Sequence, residues 1–563
     1  MDPDVTAGRP ADWKIQAGSS GARLAGRGAV ALFLACAVLP WLNPLAGGPS
    51  AVIQPWLVAA ACTLMLWVLV APEVTRMQLG ASVAVGAALV GLGHAAPPVL
   101  LAVGGLIVIA ISAAVGAALR REGAASLVAT AWLVAALASS AFAIAQYFGL
   151  GADLAPLVNP TSPGEAFANL RQRNQFATLT SIGLVALLWR VQQGVRLHWA
   201  VPAAVLLAAA NAASASRTGA LQVVLVIGLA AWWVRPMHRA VAAVCAAAAL
   251  AYAAAAFCFP LLLHALLEVD APNAFGRLVS ADGCASRTVL WGNVLHLIAQ
   301  KPWFGWGWGE LDFAHFATLY PGPRFCDILD NAHNLPLHLA VELGVPVALL
   351  ACAGFIAWLA WRRPWRETDP IRRMAWAVIA VILLHSLLEY PLWYGPFQMA
   401  FGLALGLLVR EPRPTTPAMV GAGGRLAVAG LLSMALLFSA WDYLRISQIY
   451  IPAENRTALF RRLPLPQVGD SWLYRDQVGF AVLSITPLTR ANAARMNAAA
   501  MELLHYSPEP RVIDVAIESA MVLRREDQAL WLLQRYRAAF PAEAAAAAAA
   551  VGQASRPASQ VTK

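Results

Sequence analysis

Residues Val99–Leu119 read VLLAVGGLIVIAISAAVGAAL, 21 residues without a charged side chain. At about 1.5 Å per residue such a run makes a helix of roughly 31 Å. That crosses the roughly 30 Å hydrocarbon layer of a bilayer. Lipid offers backbone N–H and C=O groups no partner, so a lone spanning segment must satisfy them internally as a helix. Arg120 and Arg121 follow at once. The stretch therefore supplies a membrane span and a charged end.

The same pattern recurs outward along the chain. The 563 residues are 60% hydrophobic and 12% charged, with a mean hydropathy of +0.62. About thirteen apolar segments are candidate spans. They run Gly28–Leu45, Ala51–Val70, Leu79–Leu92, Val99–Leu119, Ala125–Phe148, Asn174–Trp189, Trp199–Ala213, Thr218–Val234, Ala240–Leu267, Leu335–Trp361, Ala375–Leu388, Phe397–Val409 and Leu426–Trp441. Pro and Gly breaks between them read as turns. The expected fold is all-α, a polytopic helical membrane protein of about 12–13 transmembrane helices.

Arginine asymmetry orients the spans. Alternate connections carry Arg76, Arg120 and Arg121, Arg190 and Arg196, Arg235 and Arg239, the Arg362–Arg373 cluster, and Arg410, Arg413 and Arg425. The N-terminal tail adds Arg9, Lys14, Arg23 and Arg27. These loops are expected to be cytoplasmic, and an odd helix count puts 455–563 outside. The opposite connections near Asn43–Ser50, Gly93–Pro98 and Glu389–Pro396 lack Lys and Arg. The net charge of +10 is thus mostly topological and gives no sign of nucleic-acid binding. The N-terminal stretch does not read as a cleavable signal, because no short apolar core leads into a small-residue cleavage site.

Five blocks follow: N-terminal transmembrane helices over 1–267, a long outer loop over 268–334, C-terminal transmembrane helices over 335–441, an outer helical domain over 442–540 and a disordered tail over 541–563. The 490–540 stretch has helical periodicity and resembles paired short helices. Five of the seven cysteines sit in apolar helices as small core residues. Cys284 and Cys326 share the outer loop, and an oxidising compartment there would pair them. No cysteine–histidine spacing suits zinc.

Three polar motifs stand out on the outer side: Arg171-Gln172-Arg173-Asn174-Gln175, Ser214-Ala215-Ser216-Arg217-Thr218-Gly219 and Asp330-Asn331-Ala332-His333-Asn334. Arg217, with Ser214 and Ser216 beside it, offers a rigid fork suited to a diphosphate, or else snorkels to headgroups. Arg171 and Arg173 could hold an anion or a sugar, or cap a helix. Ser286-Arg287 precedes the aromatic run Trp303-Phe304-Gly305-Trp306-Gly307-Trp308, which suits sugar faces or an interfacial belt. His333 can accept a proton at neutral pH or serve as a cap. Glu389-Tyr390-Pro391-Leu392-Trp393 adds a polar-aromatic turn on that face. Polar groups are costly at membrane depth, and their gathering on one face points to a site rather than to scattered interfacial residues.

The ordered set of Asn169–Gln175, Ser216–Gly219, the long loop, His333-Asn334 and Glu342-Leu343-Gly344 resembles the O-antigen ligase superfamily. Within it, the Arg-Gln-Arg-Asn-Gln segment and the C-terminal region resemble PglL-type protein O-oligosaccharyltransferases. The resemblance runs from about Asn159 to the C-terminal domain. It implies an inner-membrane glycosyltransferase with a periplasmic site, working without metal or other cofactor. The donor would be an undecaprenyl-diphosphate-linked oligosaccharide and the acceptor a Ser or Thr hydroxyl of a periplasmic or pilin protein. By local motif the catalytic residues would be His333, Arg217 and Arg287, with Arg171, Arg173, Gln175 and Tyr390 in substrate binding, and the displacement would invert the sugar carbon. An O-antigen ligase acting on lipid A-core and an O-antigen polymerase are the nearest alternatives. A secondary transporter would show symmetric halves and polar groups near mid-helix, and neither pattern is present.

Overall fold

The computed structural model describes residues 26–45, 48–92, 97–234, 238–270, 283–409, 420–461 and 470–546. Arg9, Lys14, Arg23, Arg235, Arg410 and Arg413, and the expected tail beyond residue 546, lie outside them. Among the described residues every regular element is helical. The first nine helices are α1 (Arg27–Leu42), α2 (Ile53–Val70), α3 (Arg76–Leu92), α4 (Pro97–Arg121), α5 (Ala125–Tyr147), α6 (Arg173–Gln192), α7 (Leu197–Ala213), α8 (Arg217–Trp233) and α9 (Arg239–Leu267). The loop region carries α10 (Arg287–Gln300) and α11 (Leu311–Ala317). Then come α12 (Leu335–Leu343), α13 (Val345–Arg362), α14 (Pro370–Ser386), α15 (Gly395–Leu407) and α16 (Ala422–Ser447). Last are α17 (Arg475–Ile485), α18 (Ala493–Leu503), α19 (Pro510–Val522) and α20 (Glu526–Ala539).

Among the described residues six helical segments are long and apolar enough to cross a membrane: Ile53–Val70, Pro97–Arg121, Ala125–Tyr147, Arg239–Leu267, Val345–Arg366 and Ala422–Tyr450. Shorter apolar helices, such as α7, α8 and α15, fill the bundle between them. With no hydrophobic drive between helices in lipid, close packing of small residues holds such bundles together. Helices α4 and α15 show this directly. A Cβ on Gly116 would strike the Leu403 carbonyl, and one on Gly406 would strike the Ala113 carbonyl. Buried polar side chains add cross-links. Gln222 donates to Thr178 Oγ1 (2.8 Å) and to the Val381 carbonyl (3.0 Å), and Asn211 donates to Thr180 Oγ1 (2.8 Å). These bonds lock α6, α7, α8 and α14 in register.

One expected span is broken. Leu335–Trp361 reads as a single apolar run, but the chain divides at Gly344, with φ +92°. The cause is the segment before α11. Val345 N donates to Pro302 O (2.8 Å), Trp306 N to Val341 O (2.9 Å) and Gly307 N to Glu342 O (3.0 Å). Two backbones can lie this close because Gly305 and Gly344 have no Cβ; either would collide with the other strand's main chain. Short α12 thus sits at the N-terminal end of α13. Helix α13 itself stands away from the bundle, with only 6% of its spanning window buried.

After α16 the helices are short and amphipathic. Their own apolar core, including Leu504, Val512, Ile513 and Leu532, also takes in Phe316 of α11. His505 Nδ1 lies 2.6 Å from Glu310 Oε2. The C-terminal helices are therefore fastened to the loop region.

Candidate functional site

The three polar motifs use one local device. In each, a residue in left-handed conformation precedes a residue whose side chain caps a helix. Arg171 (φ +58°) comes before Gln172, Ala215 (φ +51°) before Ser216, and His333 (φ +49°) before Asn334. Gln172 accepts from Gln175 N at 2.6 Å, Ser216 from Gly219 N at 2.9 Å and Asn334 from Leu337 N at 3.1 Å. Ser286 caps α10 the same way, accepting from Val289 N at 3.3 Å. Left-handed conformation at a non-glycine residue costs free energy and gathers at functional sites. Here it turns the chain sharply into a helix start. Helices α6, α8 and α10 each begin on an arginine, namely Arg173, Arg217 and Arg287. Helix N-termini favour anions through unpaired N–H groups and the helix dipole.

Glu389, in the turn between α14 and α15, joins these starts. Its Oε1 accepts from the Arg287 guanidinium and from Asn174 Nδ2 (3.2 Å). Its Oε2 lies 2.8 Å from His333 Nδ1. Asn174 Oδ1 in turn accepts from Ser216 Oγ at 2.6 Å, beside Arg217. One buried carboxylate therefore links α6, α10 and the start of α12, and α8 through Asn174. Burial pushes the Glu389 carboxyl up, but the His333 hydrogen bond and the charges of His333 and Arg287 more than reverse this. The group is held below its ordinary value and stays ionised at neutral pH. An ionised carboxylate only accepts, so the proton on Nδ1 belongs to His333, and in the neutral form of the ring Nε2 carries the free lone pair.

The expected site residues separate into two sets. His333, Arg287 and Tyr390 meet at Glu389, and the Tyr390 ring stands edge-on to His333 at 5.1 Å. Burial pushes the Tyr390 hydroxyl far above the usual phenol range. Arg217 is exposed at the head of α8, next to the Ser216–Asn174 link. Gln175 is buried against Tyr394, which stacks on Tyr390 at 6.0 Å. Arg171 and Arg173 turn elsewhere. Arg171 binds the Leu45 carbonyl, and burial lowers its guanidinium from the usual value. Arg173 pairs with Glu165 at 2.7 Å. These two arginines brace the segment, and the member of that motif that reaches the network is Asn174.

Sequence reasoning missed Glu389 and Asn174 as members. The available signal was a lone carboxylate in an otherwise apolar outer turn. The aromatic run also divides. Trp308 lies beside Trp393 at 6.1 Å, whereas Trp303 and Phe304 are 71% and 89% exposed, at the outer end of α13. Cys284 and Cys326 are bonded, with 5.4 Å between their Cα atoms, and tie the segment before Arg287 to the loop. Between α8, α14 and the stand-off α13 lies an apolar cavity of about 400 Å3 lined by Trp232, Trp233, Phe355, Trp376 and Leu383. Among the described residues no three His, Cys, Asp or Glu side chains gather as metal ligands.

The structure is that of a multi-pass helical membrane protein in which arginine-bearing helix starts are linked through one buried carboxylate. Three family descriptions match successive parts of the chain: a protein glycosylation ligase over residues 166–191, an O-antigen ligase over 202–352 and the C-terminal part of a virulence factor membrane-bound polymerase over 373–555. A general O-oligosaccharyltransferase of Acinetobacter baylyi is 26% identical over 329 residues, 56% of each chain. A ComP-specific O-oligosaccharyltransferase of the same organism is 25% identical over 247 residues, 44% of each. The chain thus matches about half the length of these curated relatives. Over these parts the chain is similar to protein glycosylation ligases and O-antigen ligases.

Proposed function

We propose that this protein transfers an oligosaccharide from an undecaprenyl-diphosphate carrier to Ser or Thr hydroxyls of periplasmic or pilin proteins, at the periplasmic face of a bacterial inner membrane. The observation that carries the reading is the Glu389 network, which sets a histidine with a free Nε2 among arginines at helix starts. The names of the relatives and the glycosylation-ligase match favour a protein acceptor over lipid A-core.

In this reading Arg217 and Arg287 bind the diphosphate and stabilise the negative charge that builds on it as the bond to the sugar lengthens. His333 Nε2 takes the proton of the acceptor hydroxyl. The hydroxyl oxygen attacks the sugar C1 from the face opposite the leaving phosphate, so one C–O bond forms as the other breaks and the anomeric carbon inverts. Glu389 holds the Nδ1 proton and balances the positive charge gained by the imidazole. No step calls for a metal. Asn174 and Ser216 fix the spacing between the arginine of α8 and the carboxylate.

Transfer to an acceptor protein in membranes, at matched expression, tests the assignment. His333→Ala should lower the rate ~10²–10⁴-fold, the usual span for a positioned base. Arg217→Ala should abolish most transfer, and Arg217→Lys should recover little, because a point charge cannot supply a bidentate fork. Near-normal transfer by His333→Ala would remove the histidine from the chemistry. Deletion of the gene should remove glycosylated protein and leave lipopolysaccharide intact; the opposite result would favour the O-antigen ligase reading.

A further inference from the structure

A second concavity lies beyond the site, along α10. Its volume is about 340 Å3, within the roughly 300–1,000 Å3 of small-ligand sites. On α10 it is lined by Thr288, Gly292 and His296, one helix face at four-residue spacing. Tyr320 and the Pro321-Gly322-Pro323 segment form the opposite wall. Thr288 directly follows Arg287, and His296 lies about 12 Å further along the helix. The groove therefore starts beside Arg287 and follows α10 away from it.

The walls are fixed before any ligand arrives. Asn293 donates to the Pro323 carbonyl at 2.9 Å and accepts from Phe325 N at 2.8 Å. The Tyr320 hydroxyl is tied to His315 Nδ1 at 2.8 Å, which turns its ring into a rigid wall beside His296. The disulfide anchors the same loop three residues beyond Pro323. The floor is bare, since a Cβ at Gly292 would meet no atom within 4 Å. The Thr288 hydroxyl and the His296 ring nitrogens make no hydrogen bond among the described residues.

The lining chemistry is neutral. A hydroxyl, an imidazole, a phenol ring and prolines line the groove, with no Lys, Arg, Asp or Glu. A diphosphate would call for cations, and a lipid chain for the wholly apolar lining of the cavity beside α13. Sugar rings carry hydroxyls at their edges and C–H surfaces on their faces, which matches free polar groups set between apolar walls. We propose that this groove is a subsite for neutral sugar residues of the donor glycan, those beyond the sugar that is transferred first. The inference rests on the glycan-transfer reading and extends it to how donor length is sensed.

The test compares two lipid-diphosphate donors, one bearing a monosaccharide and one a full oligosaccharide, with one acceptor protein. Gly292→Phe puts a ring into the floor, where a Cβ meets no atom within 4 Å, and His296→Ala removes a polar contact. Each variant should raise the apparent KM for the oligosaccharide donor about tenfold, a loss of about one decade in binding. The monosaccharide donor should stay within about twofold of wild type. Equal effects on both donors, or an effect that follows the acceptor concentration instead, would overturn the proposal and in the second case assign the groove to polypeptide. A readout free of catalysis separates this from the function itself. In Gly292→Cys, free oligosaccharide should slow maleimide labelling of residue 292, while inorganic diphosphate should not. Protection without any transfer would leave the groove and defeat the reaction; transfer without protection or donor discrimination would do the reverse.

Discussion

Replacing Glu389 by Gln changes one atom and should disable the site. Gln keeps one acceptor oxygen, which Arg287 and Asn174 already claim at the Oε1 position. Its NH₂ then faces His333 Nδ1, where the carboxylate Oε2 stood at 2.8 Å. Two donors cannot share that contact, so the imidazole must shift its proton to Nε2. The nitrogen that should take a proton from the acceptor then carries one. Loss of the correct tautomer in a related histidine–carboxylate arrangement costs about 10⁴ in kcat, or about 5.5 kcal/mol at 1.36 kcal/mol per decade. We expect Glu389→Gln to lower kcat by about 10³–10⁴ with little change in donor KM, because both arginines remain. Glu389→Asp, which keeps the charge at a longer reach, should fall between. The assay is single-turnover transfer to acceptor protein in membranes, with expression matched by immunoblot. A Gln variant within about tenfold of wild type would refute the reasoning, since the tautomer would then be irrelevant.

Other expectations follow from the same geometry. The depressed Glu389 carboxyl contributes stability that is fully present above its ordinary value of 4.5 and is lost as pH falls through the lower folded value. The difference in melting temperature between wild type and Glu389→Gln should therefore hold from pH 8 to about 5 and shrink below; shrinkage already between pH 7 and 6 would contradict it. Gly344→Ala forces a Cβ onto the Trp303 carbonyl in a conformation that L residues avoid. It should cost about 1–3 kcal/mol in detergent unfolding, and an unchanged transition would show that the two backbones can part freely. Closing the loop between Cys284 and Cys326 should contribute roughly 4 kcal/mol in the chain-entropy model. Reductant should lower the melting point of wild type and leave Cys284→Ser unchanged, and a wild type indifferent to reductant would remove the disulfide from the stability account.

The helices were legible because apolar length alone determines them in lipid, and each of the thirteen apolar runs is helical. The division at Gly344 was not legible, because its cause is a remote segment, Pro302–Gly307, whose backbone lies against it. At the site, short motifs revealed where the chain turns into helices, since left-handed residues and caps are local. They did not reveal partners. Arg173 is drawn to Glu165 and Arg171 to Leu45, contacts that depend on how a loop folds back. Glu389 binds residues 56, 102 and 215 positions away, separations that sequence periodicity does not encode.

Helix α13 has a consequence for how the protein responds to its surroundings. Because so little of it is buried in the bundle, a mismatch between its apolar length and the thickness of the surrounding lipid would act on it directly. Its outer end is bonded to the Pro302 carbonyl and continues, through Gly344 and α12, to Asn334 and His333. A thinner or thicker bilayer would therefore pull on the histidine through a short mechanical linkage, while Arg217 stays with the bundle. Acyl-chain length thus becomes a tuning parameter, with an optimum thickness at which the base and the arginines stand in register.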